Sequence, residues 1–325
     1  LADDVEALVE ARIGEPWQRP TGTAVGRVIN EDQLVNKYIE HLLSTIDVSL
    51  SGLKVVVDCA NGASSFTAPI ALSRAGAEVI AIANTPDGWN INDGVGSTHL
   101  DYLRNAVLKN GADVGIAHDG DADRCLAIDA TGAEIDGDVI MAILAKGFKA
   151  QGKLKANTIV GTVMSNLGFM HAMAESGIEV VTTAVGDRYV LEAMLQSDFN
   201  LGGEQSGHVI MRDHANTGDG LLTALQLLAE VKRSGQTLQE LSRVMVRFPQ
   251  VLINVKNVAK ERLATSTAIA DAVTAAEAEL GSNGRVLLRA SGTEPLVRVM
   301  VEAQSDAVAQ DVATKLAQVV ETELK

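Results

Sequence analysis

The sequence predicts an α/β protein: two similar domains on mixed or mainly parallel sheets, followed by a smaller α+β unit. Three observations carry that expectation. A strand, a loop, a helix, a glycine stop and a second strand occur in that order over residues 54–83 and again over 158–185. Hydrophobic residues make up 46% of the 325 with few aromatics, which suits layers packed through small aliphatic side chains. Beyond Val251 the repeat gives way to alternating strands and two helices.

In chain order, residues 1–9 already show helical spacing of apolar positions, and breakers follow at Gly14, Pro16, Pro20 and Gly22. A chain that opens inside an amphipathic helix is expected to continue something before it. Leu34, Val35, Tyr38, Ile39, Leu42, Leu43 and Ile46 form a helical stripe over 31–46. Residues 54–59 read as a buried strand, followed by a helix to Arg74 closed by Gly76, and by a strand at 78–83. The apolar run at 112–118 is a further short strand. The second repeat offers a strand at 158–163, a helix capped by Ser165 and closed by Gly177, and a strand at 179–185. Both read as βαβ units. A helix is expected over 219–233. The last part predicts a strand at 251–255, a helix at 266–280, strands at 285–288 and 297–302, and a final helix capped by Ser305. Domain boundaries near 151–153 and after Pro249 give units at 28–150, 151–249 and 250–325.

The formal net charge of −15 argues against nucleic acid and against an anionic membrane surface as partners. No apolar run approaches the length of a membrane span. Cys59 and Cys125 have neither metal nor disulfide spacing and read as reduced thiols, so a cytoplasmic location is expected. A homodimer is compatible with the sequence.

Four stretches carry chemistry. The first is Asp119-Gly120-Asp121-Ala122-Asp123-Arg124, on a loop leaving the 112–118 strand. Three carboxylates at alternate positions repel one another unless a cation neutralises them. Oxygen-only ligands select a magnesium-like or calcium-like ion. A calcium loop of the EF-hand type would need glycine where Arg124 stands and glutamate where Ala130 stands. A solvated acidic turn is the plain alternative. The second stretch runs from Arg289 to Arg298 and joins two strands. Ser291, Gly292 and Thr293 can form an anion-binding concavity, and Arg289 and Arg298 can bond a phosphate bidentately. The third is Gly203-Glu204-Gln205-Ser206-Gly207-His208, where Glu204 and Ser206 face one way on an extended loop and suit vicinal sugar hydroxyls. Taken alone, it reads better as a structural turn. The fourth is 185–190, at a strand end entering a helix, where Asp187 and Arg188 are either ligand contacts or a structural ion pair.

Taken in this order, the Asp-Gly-Asp-x-Asp-Arg loop, Gly-Glu-x-Ser-Gly-His and Arg-x-Ser-Gly-Thr-Glu-Pro resemble the α-D-phosphohexomutases, over nearly the whole chain. The resemblance implies four domains, three of them similar α/β units and the last related to the TATA-binding-protein-like fold. On that reading residues 1–27 are the tail of a first domain. It implies Mg2+ held by Asp119, Asp121 and Asp123, with Arg124 beside it. It also implies sugar hydroxyls on the Glu204/Ser206 loop with His208, and a substrate phosphate held by Arg289, Ser291, Gly292, Thr293 and Arg298. The implied substrate is a phosphorylated hexosamine, with glucose or mannose phosphate as the alternative. Position 122 is Ala where glycine is frequent. The family's phosphorylated serine lies in a Ser-His-Asn-Pro box that these 325 residues do not contain, so they are expected not to turn over alone. Two rival readings are a stand-alone sugar-phosphate-binding module and an aspartate-nucleophile phosphatase. In the phosphatase, Asp119 would be attacked and the loops at 203–208 and 289–298 would have no role.

Overall fold

The computed structural model describes residues 3–31, 33–291 and 294–325. The chain separates into two compact units, Leu1–Lys37 and Tyr38–Lys325. The first contains α1 (Asp3–Ile13) and a short 3-10 turn at Gly22–Ala24. Helix α2 (Gln33–Ser44) buries Ile39 and Leu42 from the stripe expected there.

The larger unit holds three sheets. In the first, β1 (Lys54–Asp58) is followed by α3 (Thr67–Arg74), β2 (Glu78–Ile82), α4 (Leu100–Asn110) and β3 (Val114–Ala117). Strands β4 (Leu126–Asp129) and β5 (Glu134–Ile135) complete it, in the order β2-β1-β3-β4-β5. β1 pairs parallel with β2 and β3, whereas β4 returns antiparallel beside β3. After α5 (Gly137–Ala150) come β6 (Thr158–Thr162), α6 (Leu167–Glu175), β7 (Glu179–Thr183), α7 (Asp187–Gln196), β8 (Leu201–Gly203) and β9 (Val209–Met211). This sheet has the order β7-β6-β8-β9, with β6 parallel to both neighbours and β9 antiparallel to β8. The two sheets thus share one plan, and β3 in the first corresponds to β8 in the second.

Helices α5 and α8 (Gly220–Ser234) are buried almost all round, and one apolar cluster takes in their side chains together with residues of β1, β3, α6 and β8. A helix apolar on every face belongs between layers, not on a surface. After α9 (Leu238–Leu241), the third sheet is formed by β10 (Gln250–Lys256), β11 (Gly284–Ala290) and β12 (Leu296–Ala303), in the antiparallel order β10-β12-β11. Helices α10 (Thr267–Leu280) and α11 (Asp306–Leu324) pack on it around a separate core.

One cap differs from expectation. Helix α6 is capped by Asn166, whose side chain accepts from the Gly168 N–H, whereas the fully buried Ser165 turns its Oγ toward the Thr162 N–H. Asn and Ser are comparable caps, so burial decides between adjacent candidates. Asp219, Ser266 and Ser305 do cap their helices, each accepting an N–H of the first turn.

Candidate active site

The acidic loop follows β3 at the carboxyl end of the parallel strands, where open α/β sheets expose their ligand sites. Its backbone is closely held: the Ala63 N–H donates to the Gly120 carbonyl (2.9 Å) and the Gly220 N–H to the Ala122 carbonyl (2.9 Å). At Gly120 a Cβ would lie 2.7 Å from Asn92 Nδ2 and Ile91 Cδ1, so those side-chain ends would have to move to admit one. Asp119 and Asp123 are half-buried, and Asp121 is exposed. The Arg124 N–H donates to Asp119 Oδ1 (3.3 Å), and Arg124 Nε stands 3.9 Å from Asp119 Oδ2. Burial, and after it Asp119, push the Asp123 carboxyl above the usual carboxylate range, against the opposing pull of His208 and Arg124.

Asp123 Oδ1 is buried with no hydrogen-bond partner. An acceptor left in that state beside a second carboxylate fits a hard cation as its missing partner. Among the described residues, no three Asp, Glu, His or Cys side chains are gathered as a ready metal cluster.

The Gly203–His208 loop leaves β8, the counterpart of β3, so the two loops occupy equivalent places in the duplicated sheets. They meet directly. The Cys125 N–H donates to the Gly207 carbonyl (3.0 Å), and Arg124 forms an antiparallel bridge with His208. Gly207 has φ +92°, and a Cβ there would sit 2.4 Å from the Cys125 carbonyl oxygen, so the approach requires glycine. His208 is 4% exposed, with Nε2 3.7 Å from Asp123 and 4.0 Å from Asp187. Glu204 Oε1 accepts the Gly186 N–H (3.0 Å), which ties this loop to the 185–190 stretch. Asp187 opens α7, and Arg188 Nε donates to Glu192 one turn on (2.9 Å).

Three of the four stretches therefore come together. Between them is an open cavity of about 480 Å³ whose lining includes Arg124, Glu204, Gln205, Ser206, Asp136 and Arg247. The fourth, at 289–298, lies at the β11–β12 turn, where Arg289 and Arg298 stand directly opposite in register. None of its described residues lines that cavity. Gly292 and Thr293 are outside the described residues.

The sequence reading passed over Asp136 and Arg247. Asp136 caps α5 by accepting the Val139 N–H (3.1 Å), and its other oxygen faces Gln205 Nε2 (3.4 Å) and Arg247 Nη1 (3.6 Å). Asp136, three residues ahead of the apolar run at 139–145, was the available signal. It also passed over the support behind the acidic loop. Tyr38 Oη donates to both Asp219 oxygens (3.0 and 2.9 Å), and burial and Asp219 together raise the phenol far above its usual range. His118, fully buried and held to lower basicity by that burial, contacts the Arg124 carbonyl through Nδ1 (3.0 Å).

Two duplicated α/β sheets that bring an acidic loop and a Glu/Ser loop together, with a helix-backed antiparallel sheet following, make this a multidomain α/β protein with a candidate site between its two repeated sheets. Three models of one family match the chain in order: the phosphoglucomutase/phosphomannomutase α/β/α domain II at 36–132, domain III at 136–248 and the C-terminal domain at 252–319. A phosphoglucosamine mutase of Streptomyces griseus is 58% identical over 329 residues, taking in 100% of this chain and 73% of that protein. One of Thermobifida fusca is 60% identical over 324 residues, covering 100% and 72%. Among solved structures, a phosphoglucomutase/phosphomannomutase family protein of Burkholderia thailandensis superposes with a TM-score of 0.74 at 22% identity, over 89% of this chain and 64% of that one. Aspergillus fumigatus N-acetylphosphoglucosamine mutase, solved with GlcNAc-6P and magnesium, gives 0.72 at 20%, over 90% and 65%. The chain belongs to the phosphoglucomutase/phosphomannomutase family.

Proposed function

We propose that this chain forms the metal, sugar and phosphate sites of an isomerase that interconverts glucosamine 6-phosphate and glucosamine 1-phosphate through a phosphoserine and a bisphosphate intermediate. The supporting observation is the junction of the two loops, with Arg124 and the Glu204/Ser206 pair lining one cavity. Names of relatives at 58–60% identity favour glucosamine as the sugar.

In this reading Asp119, Asp121 and Asp123 hold Mg2+, which when bound offsets charge on the transferring phosphoryl group. Arg124 adds a fixed positive charge at the same edge of the cavity, where transition-state charge spreads over phosphoryl oxygens. Glu204 uses one oxygen on the Gly186 N–H and keeps the other for a sugar hydroxyl, with Ser206 beside it. His208, between Asp123 and Asp187, is placed to hold or pass a proton at Nε2. Asp187 and Arg188, at the start of α7 just past Val185 of the cavity wall, are assigned to the substrate as well. Arg289, Ser291, Gly292, Thr293 and Arg298 hold the phosphate that is not being transferred. Domains at 28–150, 151–249 and 250–325, a cytoplasmic location and a homodimer complete the proposal. No described helix is long and apolar enough to cross a membrane.

The family description also names phosphoglucomutase and phosphomannomutase, so glucose and mannose phosphates are the second reading. Calorimetric titration with Mg2+ and each of the three hexose 6-phosphates separates them. Tightest binding of glucosamine 6-phosphate, lost in Glu204→Ala, is expected. Equal affinity for all three, or tighter binding of another, contradicts the assignment.

A further inference from the structure

The two ends of the acidic loop are joined through the side chain that precedes it. His118, directly before Asp119, follows β3. Its N–H donates to the Asp58 carbonyl of β1 (3.0 Å), and its carbonyl accepts the Ser97 N–H (2.8 Å), so the backbone entering the loop is fixed on both sides. The imidazole is fully buried, and its Nδ1 lies 3.0 Å from the carbonyl oxygen of Arg124, the residue after Asp123. A carbonyl oxygen can only accept, so Nδ1 carries the hydrogen. Inside the span closed in this way, the Ala122 N–H donates to the Asp119 carbonyl (3.1 Å) and the Arg124 N–H to Asp119 Oδ1 (3.3 Å).

The far end of the loop is gripped twice. The peptide joining Arg124 to Cys125 gives its carbonyl to His118 and its N–H to the Gly207 carbonyl (3.0 Å) in the Glu204/Ser206 loop. In a trans peptide those two groups point opposite ways, so the unit is held from both directions. Its plane sets where the acidic loop ends and from where the Arg124 side chain leaves for the cavity. The other ring nitrogen of His118, Nε2, is buried with no hydrogen-bond partner among the described residues. A buried polar atom left unpaired destabilises a fold, and a phenyl ring would fill much the same space without one. What the imidazole supplies and a phenyl ring lacks is the Nδ1 donor.

We infer that His118 is a positioning residue for the acidic loop: its Nδ1–H closes the span from Asp119 to Arg124 and so keeps the Asp119 and Asp123 carboxylates together for a divalent ion. The inference rests on reading that loop as a metal site. The test is titration of the chain with Mn2+ alone, followed by the free-ion electron paramagnetic resonance signal, with thermal melting on the same samples. The variants are His118→Phe, His118→Asn, His118→Gln, Asp121→Asn and Leu316→Ala, the last a cavity in the separate core of the C-terminal sheet. His118→Phe should weaken Mn2+ binding about tenfold or more, as losing a bond that orients metal ligands does. His118→Asn, whose amide nitrogen can stand where Nδ1 stood, should return to within about threefold of the parent. His118→Gln, whose donor lies farther along the side chain, should bind as weakly as Phe. Leu316→Ala should lower the melting temperature and leave Mn2+ affinity within about twofold. The inference is overturned if His118→Phe binds within about twofold of the parent, if Asn binds no better than Gln, or if Leu316→Ala loses as much affinity as Phe. Should Phe fail to fold, the comparison of Asn with Gln decides by the same criterion. Asp121→Asn separates the two levels of failure. Unchanged Mn2+ affinity there removes the metal site and the inference with it, whereas affinity lost there but kept in His118→Phe overturns the inference alone.

Discussion

Ala122, in the middle of the acidic loop, has φ +60°, a left-handed conformation that strains any residue with a Cβ. Ala122→Gly should therefore stabilise the protein by about 0.5–1 kcal/mol, the relief of strain outweighing glycine's extra unfolded-state freedom. Thermal melting checks it, and a lower midpoint would contradict it. Asp138 supplies the pH dependence. Its Oδ2 accepts the Asn166 N–H (2.7 Å) while Oδ1 has no partner, and burial, opposed by that bond, raises the carboxyl to about 7. Because the folded pKa lies above the unfolded value, the folded state keeps a proton that the unfolded chain releases. That contribution is fully present below about pH 4 and is lost as pH rises toward 7, by at most about 4 kcal/mol. Denaturation of Asp138→Asn should show a flatter stability–pH curve across that window and greater stability than the parent at pH 8. Parallel curves would place the titration elsewhere. At this scale the sequence was legible wherever chemistry is local: an Asp-x-Asp-x-Asp run shows its own repulsion. It was not legible for Asp138, because nothing in 136–140 tells that Asn166 will cover it.

Helix α8 connects the core to the site. Its N-terminal Gly220 has no space for a side chain: a Cβ would lie 2.1 Å from the Arg124 carbonyl oxygen and 2.6 Å from His118 Nδ1. Gly220→Ala should destabilise by about 2 kcal/mol or more and weaken Mg2+ binding together with it, since the displaced atoms belong to the acidic loop. Chemical denaturation and a metal titration on the same samples test both halves. Normal metal affinity in a destabilised variant would detach the helix from the loop's geometry. Amphipathic elements such as α2 and α11 were readable from their stripes and caps. Helix α5 was not, because its run at 139–145 shows no polar face, and α4 is not read from the sequence either, whereas α8, almost as fully buried, is expected over 219–233. Ser165 and Asn166 were both acceptable caps, and only the tertiary burial of Ser165 distinguished them.

Across the whole molecule, the C-terminal sheet is tied to the second sheet's domain through Glu302, which is fully buried in β12. Its carboxylate accepts from Arg285 Nε (2.7 Å), the Leu167 N–H (2.9 Å) and Asn166 Nδ2 (3.1 Å), and the same Asn166 amide bonds the Phe248 carbonyl (3.0 Å) on the connecting segment. Glu302→Ala should destabilise the protein by about 3–5 kcal/mol, because it leaves Arg285 and two donors uncompensated. A loss below about 1 kcal/mol in urea denaturation would mean that water replaces the carboxylate there. The order of domains could be read from the repeated strand–helix pattern. Which loops would face one another could not, because the meeting of Arg124 with His208 depends on two sheets packing against the shared α5 and α8 layer.

The central claim is that the acidic loop seats a divalent ion beside a bound phosphosugar. It is tested most directly by the 31P resonance of glucosamine 6-phosphate bound in the presence of Mn2+. Paramagnetic broadening is expected with the parent chain and should disappear in an Asp119→Asn, Asp123→Asn double variant that still binds the sugar phosphate. An unbroadened line in the parent, or equal broadening in the double variant, would contradict the account.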